Sequence, residues 1–418
     1  MSGTGKRVVV VGGGVIGASC AYFLARSGWS VTVVDSGGFG QGCSHANCGF
    51  ISPSHVLPLA SPGALRVALG SLFKRNSPLK VRARLDPAVW SWLYHFARRC
   101  NHTDMMEAGA AIQALLNSSR RLYQEIIEAE QMDCEWHMQG MLFVLRTEAG
   151  MEHFAHTDKL LRESFHVPAQ RFDGAALTER EPALKPGLAG GWLYEGDAHL
   201  RPDKLMASWE RVLKNRGVAI HERSPVQGLV RDGGRARAIT TTRGEIEADA
   251  FVFATGALTP LLSRELGCRI PIQPGKGYSI TMPRPARCPK HPLIFEEHRV
   301  AVTPMDSGYR LGSTMEFAGY DATLRRERLE LLRESARLYL HEPYCDPVQE
   351  EWFGWRPMTY DGKPIIDRSP AWPNVMIAAG HNMLGVSMAP ATGRLVAELL
   401  NEEKPHIDPA PYTVTRFN

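Results

Sequence analysis

The apolar positions near the N-terminus follow two different periods. Val8–Val11 is a β-branched run, the pattern of a strand covered on both faces. It breaks into Gly12-Gly13-Gly14-Val15-Ile16-Gly17, after which Ala21, Tyr22, Leu24 and Ala25 keep helical spacing from Ala18 to Ser27. Gly28 ends that helix, and Val31–Val34 is a second strand closing on Asp35. Residues 85–132 are helical by period, with Trp90, Leu93 and Ala97 on one face, then Ile112, Leu115, Leu116, Leu122, Ile126 and Ile127. Met141–Arg146, Tyr278–Met282 and Tyr309–Gly312 read as strands, and Leu324–Leu340 as an exposed amphipathic helix rich in Arg and Glu. Two further strands are predicted at Ala248–Phe253 and Val375–Ala379. The first runs into Thr255-Gly256, the second into Gly380-His381 and Gly385, with a helix from about Ser387.

The first fifty residues carry the sharpest chemistry. G-x-G-x-x-G inside a strand–helix–strand unit places Gly12 at the tight turn, Gly14 against a pyrophosphate, and Gly17 at the helix–strand contact, with Ile16 between them. The helix amides meet the phosphates, and Asp35 accepts from a ribose diol. A dinucleotide therefore binds here. No second fingerprint occurs, so one dinucleotide drawing on the start, middle and end of the chain suits an extended flavin better than a nicotinamide.

Composition narrows the class without naming it. With 418 residues, 44% hydrophobic and 22% charged, a fibrous, disordered or polytopic membrane chain is excluded. No run of about 18 uncharged apolar residues exists. The eight cysteines form no C-x-x-C pair and no zinc-finger spacing, so free thiols and no metal are expected, in a cytoplasmic protein. A formal charge of +4 is too small to argue for nucleic acid.

Several further motifs stand in order along nearly the whole chain: Ser44-x-x-Asn47-x-Gly49 with Ile51-Ser-Pro53, Asp86–Leu93, Gln139–Thr147, and Pro274-Gly-Lys276-Gly-Tyr278-Ser. Leu311–Tyr320, Trp355-Arg356-Pro–Pro364 and Gly380-His381-x-x-x-Gly385 complete the set. The combination resembles the FAD-dependent D-amino-acid oxidase superfamily, nearest the bacterial D-amino-acid dehydrogenase small subunit and D-hydroxyproline dehydrogenase group. The resemblance implies an α/β fold: a Rossmann-type FAD-binding domain (1–60, 191–265, 350–418) with an inserted mixed-sheet α+β substrate domain (61–190, 266–349), of the glutathione-reductase-2-like kind. It implies FAD, held non-covalently by the fingerprint, Asp35, Ser44, Asn47, Gly49, Ile51, Val226, Thr255, Gly256, Gly380, Gly385 and Ser387. Val226 matches the family position whose backbone contacts adenine.

The implied chemistry is amine dehydrogenation, a hydride passing from the substrate α-carbon to flavin N5 to leave an imine. It requires an anchor for the substrate carboxylate, and Arg356 matches the family's carboxylate-binding arginine; a planar guanidinium binds carboxylate through two parallel bonds. The bland alternative pairs Arg356 with Asp361 or Asp367. His381 and Tyr278 are the other catalytic candidates, lining or closing the pocket; Tyr320 and Lys276 are weaker ones. Gly196-Asp-Ala-His199 departs from the ordinary D-amino-acid dehydrogenase pattern, which favours D-hydroxyproline or D-proline over D-alanine. Arg310 stands where the sarcosine oxidases carry an oxygen-activating lysine, so quinone or an electron-transfer chain is the expected acceptor. The segment 63–84 is basic, with Leu65, Leu69, Leu72 and Phe73 on one helical face, and peripheral membrane contact is weighed there against a solvated basic face. Remaining alternatives are an oxidase releasing peroxide, an RNA-modifying flavoenzyme and a non-catalytic flavoprotein.

Overall fold

A computed structural model describes residues 5–66, 70, 77–82 and 85–417. Two sheets organise the described residues. The first runs in the order Ile365–Arg368, Val375–Ala379, Ala250–Phe253, Arg7–Val11, Ser30–Val34, Ala219–His221. All its pairs are parallel except the Ile365–Arg368 edge. Val8, Val9 and Val10 are buried from both sides, which is why that strand is apolar without alternation. Helix Val15–Arg26 covers one face, and the final helix Gly385–Leu400 packs on it. Gly393 allows this approach, since a Cβ there would come within 2.5 Å of the Ser19 backbone.

The second sheet is mixed, in the order Glu350–Thr359, Ile272–Met282, Gly308–Phe317, Val300–Met305, Leu293–Phe295, Met141–Leu145, Gly190–Tyr194, Gln170–Asp173, with Leu79–Val81 beside Gly308–Phe317. Its two faces part company by the period of two. On the outer face Tyr278, Ile280, Met282, Tyr309 and Leu311 pack with Leu329, Leu332 and Ala336 of helix Arg326–Arg337. The inner face meets the first unit: Ser279 Oγ donates to Ala46 O at 2.7 Å, and Thr303 Oγ1 to Cys48 O at 2.7 Å.

Two sequence-drawn domain boundaries need correcting here. Gly190–Tyr194 and Glu350–Thr359 belong to the second sheet, so the boundaries drawn at 191 and 350 cut into it. Both segments are strands, and which sheet a strand joins depends on pairing partners far away in sequence. Half of the basic stretch 63–84, including Leu69, Leu72 and Phe73, lies outside the described residues. Its far end is a sheet strand: Lys80 pairs with Glu316, and Arg82 Nε meets the buried Glu316 carboxylate at 2.6 Å.

Candidate active site

The turn after the first strand is built as the fingerprint requires. Gly12 takes φ +109°, and a Cβ on it would sit 2.5 Å from Ala254 O. A Cβ on Gly17 would overlap the Gly12 carbonyl, so helix and strand touch through bare backbone. Gly14 heads helix Val15–Arg26 with no side-chain cap of its own, and the Val15 N–H is taken by Ser44 Oγ at 2.9 Å. Asp35 accepts from Gly13 N at 2.6 Å and Gly37 N at 2.7 Å, fixing its carboxylate beside the turn. Ser224 N donates to Asp35 O, which brings the strand beginning at Val226 to the same end of the sheet.

The loop Cys43–Gly49 closes on itself through Asn47, whose Nδ2 donates to Ser44 O and whose Oδ1 accepts from Gly49 N at 2.8 Å. Ile51 pairs with Ala198, and Ser387 Oγ donates to Phe50 O at 2.7 Å, tying this segment to the last helix. That helix begins at Gly385 with no side-chain cap, following Gly380 at φ +74°. Thr255 and Gly256 follow strand Ala250–Phe253, and Ala254 N bonds Val11 O, so they adjoin the Gly12 turn. Two helix N-termini are therefore tied to the one segment 44–52, and their partial positive charge suits phosphate at one and an electron-rich ring edge at the other.

Arg356 lies on the inner face of the second sheet. Its strand pairs Arg356 with Gly275 and Gly354 with Gly277, and a Cβ on Gly277 would collide with the guanidinium. Gly312 likewise makes room for Cys48, whose Sγ would stand 2.6 Å from a Cβ there. This face is paved with glycine, which lets long side chains lie flat on the sheet. Arg356 Nη1 donates to Thr314 O at 2.7 Å, and among the described residues no carboxylate pairs with it. Asp361 is taken by Arg416 at 2.7 Å and Asp367 by Thr413 at 2.6 Å, so neither neutralises Arg356. Burial lowers the proton affinity of Arg356. Cys43 is exposed and Arg356 and Cys48 are half-buried, so all three keep accessible surface.

Other candidates sit elsewhere. Tyr278 is on the outer face, 1% exposed, with its hydroxyl donating to Glu316 at 2.7 Å; it cannot close a pocket on the inner face. Lys276 shares that outer face, fully buried, its Nζ donating to Asp321 O at 2.8 Å. His381 turns away from the cleft onto Thr392 Oγ1 at 3.0 Å, and burial pushes its imidazole down to about 3. Its ring, neutral, lies against the last helix, on which Thr392 stands. Tyr320 bridges the units by donating to Ala257 O at 2.8 Å. Arg310 is committed to Asn47 O at 2.7 Å and Thr281 Oγ1 at 2.9 Å.

Several positions escaped the sequence reading. Asn382 accepts Thr359 N and donates to Gly380 O, joining the strand of Arg356 to the head of the last helix. Asp197 accepts Ser54 N at 3.0 Å and Ser54 Oγ at 2.5 Å, and burial pushes its carboxyl up to about 7. Gly275, Gly277, Gly312 and Gly354 were the available signal, being glycines inside strands.

The site thus joins a dinucleotide turn, two helix heads that lack caps from their own N-cap residues, and a half-buried arginine with no counter-charge among the described residues. The sequence profile of the FAD dependent oxidoreductase (DAO) family matches residues 7–399. The chain belongs to that family. Its residues fit FAD, since the turn, Asp35 and the positive ends of the two helices match a dinucleotide's phosphates, ribose and ring edge. The chain is 33% identical over 421 residues to a D-amino acid dehydrogenase of Granulibacter bethesdensis, covering 98% of this chain and 99% of that protein. It is 35% identical over 413 residues to one of Methylobacterium nodulans, covering 96% of each. Among solved structures, glycine oxidase from Geobacillus kaustophilus superposes with TM-score 0.81 at 23% identity, over 98% of this chain and 99% of that one. L-Proline dehydrogenase from P. horikoshii does so with TM-score 0.74 at 21% identity, over 99% and 98%. These last two are likenesses of fold.

Proposed function

We propose that this member of the FAD-dependent oxidoreductases is an amino-acid dehydrogenase that binds its substrate by the carboxylate on Arg356. One observation carries the reading: a half-buried guanidinium, given room by Gly277, has no acid paired with it among the described residues. A cation so placed is costly until an anion reaches it, and a planar carboxylate meets it through two bonds. The D-amino acid dehydrogenases at 33% and 35% identity support the substrate class. FAD, held by Gly12–Gly17, Asp35, Ser44, Val226, Thr255–Gly256 and Gly380–Ser387, supplies the two-electron acceptor. The substrate gives up two electrons and two protons as its C–H and one N–H bond become a C=N bond, which water then hydrolyses. Arg356 fixes the α-carbon, and the glycines beside it leave room for the substrate on that face.

Within the class, the segment Gly196-Asp197-Ala-His199 favours cyclic D-imino acids, D-hydroxyproline or D-proline. Quinone is the proposed acceptor, reached at a membrane surface. Supporting this, Trp90 and Tyr94 on helix Pro87–Arg99 are 57% and 59% exposed, and Arg98 lies over the Tyr94 ring at 5.9 Å. Exposed aromatics with basic neighbours suit a lipid headgroup layer. No helix among the described residues is long and apolar enough to cross a membrane. Flotation with anionic vesicles checks the contact, and the absence of salt-sensitive binding removes it.

The deciding experiment is anaerobic mixing with D-alanine, D-proline, D-hydroxyproline, L-proline, glycine and sarcosine. Bleaching near roughly 450 nm by one of them, as any reduced flavin shows, supports the reading and names the substrate. No bleaching by any of them overturns it. Re-oxidation by added quinone rather than air separates dehydrogenase from oxidase.

A further inference from the structure

Four bonds fasten the loop Cys43–Gly49 to the inner face of the second sheet. Three are to backbone carbonyls: Ser279 to Ala46, Arg310 to Asn47 and Thr303 to Cys48, each at 2.7 Å. The fourth joins two titratable side chains, His45 Nε2 and Glu350 Oε1, 2.8 Å apart and both partly buried. The neighbouring Ser44 takes the Val15 N–H at the head of the fingerprint helix. One short loop is therefore held to the phosphate-binding turn at one side and to the substrate sheet at the other.

We propose that the His45–Glu350 pair is a protonation-dependent clamp on this loop, so that FAD is held more tightly when His45 is charged. His45 here is a positioning residue: it touches neither fingerprint nor substrate anchor, and acts through Ser44. The groups facing the pair are Asp203 on helix Pro202–Asn215, Arg310 on strand Gly308–Phe317, and Arg201 just before that helix. The hydrogen bond to Glu350 raises the proton affinity of His45; burial opposes it. The bond to His45 lowers that of Glu350. The folded imidazole thus titrates above its ordinary 6.5, so the clamp is complete below that value and is lost as pH rises through the folded one. Glu350 stays charged down past its ordinary 4.5, so mild acid leaves the clamp intact.

The test reads FAD release, not turnover. Holoenzyme is diluted to nanomolar concentration between pH 6 and 9, and freed FAD is followed by its fluorescence. Because the charge-assisted bond becomes an ordinary one, retention should weaken about tenfold across the range. His45→Gln and Glu350→Gln should each be flat with pH, near the wild-type value at pH 9. His45→Lys keeps a cation opposite Glu350 and should be flat near the wild-type value at pH 6. A flat wild-type profile, or His45→Gln keeping the wild-type slope, overturns the proposal. The readout involves no amine, so it stands or falls separately from the substrate reading of Arg356.

Discussion

Gly277→Ala is the sharpest perturbation of the proposed anchor, because it adds one carbon and removes nothing. That carbon would overlap Cζ, Nη1 and Nη2 of Arg356 together. Non-bonded carbons rest about 3.5–4 Å apart, so the guanidinium must lift from the sheet by about 1 Å. A displacement of that size at a positioning group costs roughly 100-fold in rate, about 2.7 kcal/mol. The bond from Nη1 to Thr314 O is disturbed as well, with about 1–2 kcal/mol of stability at stake. The measurement is the rate of anaerobic flavin reduction against amino-acid concentration, beside titration with benzoate, a carboxylate that cannot be oxidised. The expected result is a loss of about 100-fold in kcat/KM, mostly in KM, with benzoate binding weakened in parallel. Gly275→Ala is the control, since its added carbon meets the flexible Met358 side chain at 2.8 Å, and it should fall by less than about threefold. If Gly277→Ala keeps wild-type KM and benzoate affinity, the guanidinium is not the carboxylate site.

Three other perturbations test the assignments around it. Tyr278→Phe leaves Glu316 short of a donor on the outer face; it should cost about 1–2 kcal/mol in chemical denaturation and leave kcat/KM unchanged, whereas a large kinetic loss would return Tyr278 to the pocket. Asp197, whose carboxyl is pushed up to about 7, binds a proton more tightly folded than unfolded, so wild-type stability should decline as pH rises from about 4 to 7. Asp197→Asn should flatten that decline in melting temperatures at pH 5 and 8, and identical slopes would contradict the assignment. Because burial holds His381 neutral down to about 3, His381→Asn should leave the shape of the pH–rate profile between pH 5 and 9 unchanged.

The fingerprint was legible because everything it needs lies between Val8 and Asp35, and glycine's backbone role is written in its position. The site on the second sheet was less so. Tyr278 and Gly277 are neighbours in one strand, and only one of them can face the cleft. Which one does is set by pairing with Glu350–Thr359, far along the chain, where Tyr278 stands opposite Phe353 and Gly277 opposite Gly354. A large aromatic drew attention from a glycine that in fact makes the space. Arg356 was singled out by its motif, yet its lack of an acid among the described residues emerges only when Arg416 is seen to occupy Asp361. His381 sits where the sequence put it; its ring direction depends on Thr392, one helix turn after another away.

The interleaved first sheet has a consequence for biosynthesis. Strand Arg7–Val11 finds its neighbour Ser30–Val34 early, but its other partner, Ala250–Phe253, is made some 240 residues later. At about 5–20 residues per second the ribosome needs roughly 10–50 s to reach it. The strands at Ile365–Arg368 and Val375–Ala379 come later still. Throughout that interval an apolar edge stands open to other nascent chains. The nucleotide site cannot be completed until the helix Gly385–Leu400 has been made and has left the exit tunnel, so cofactor capture waits on the synthesis of almost 400 residues.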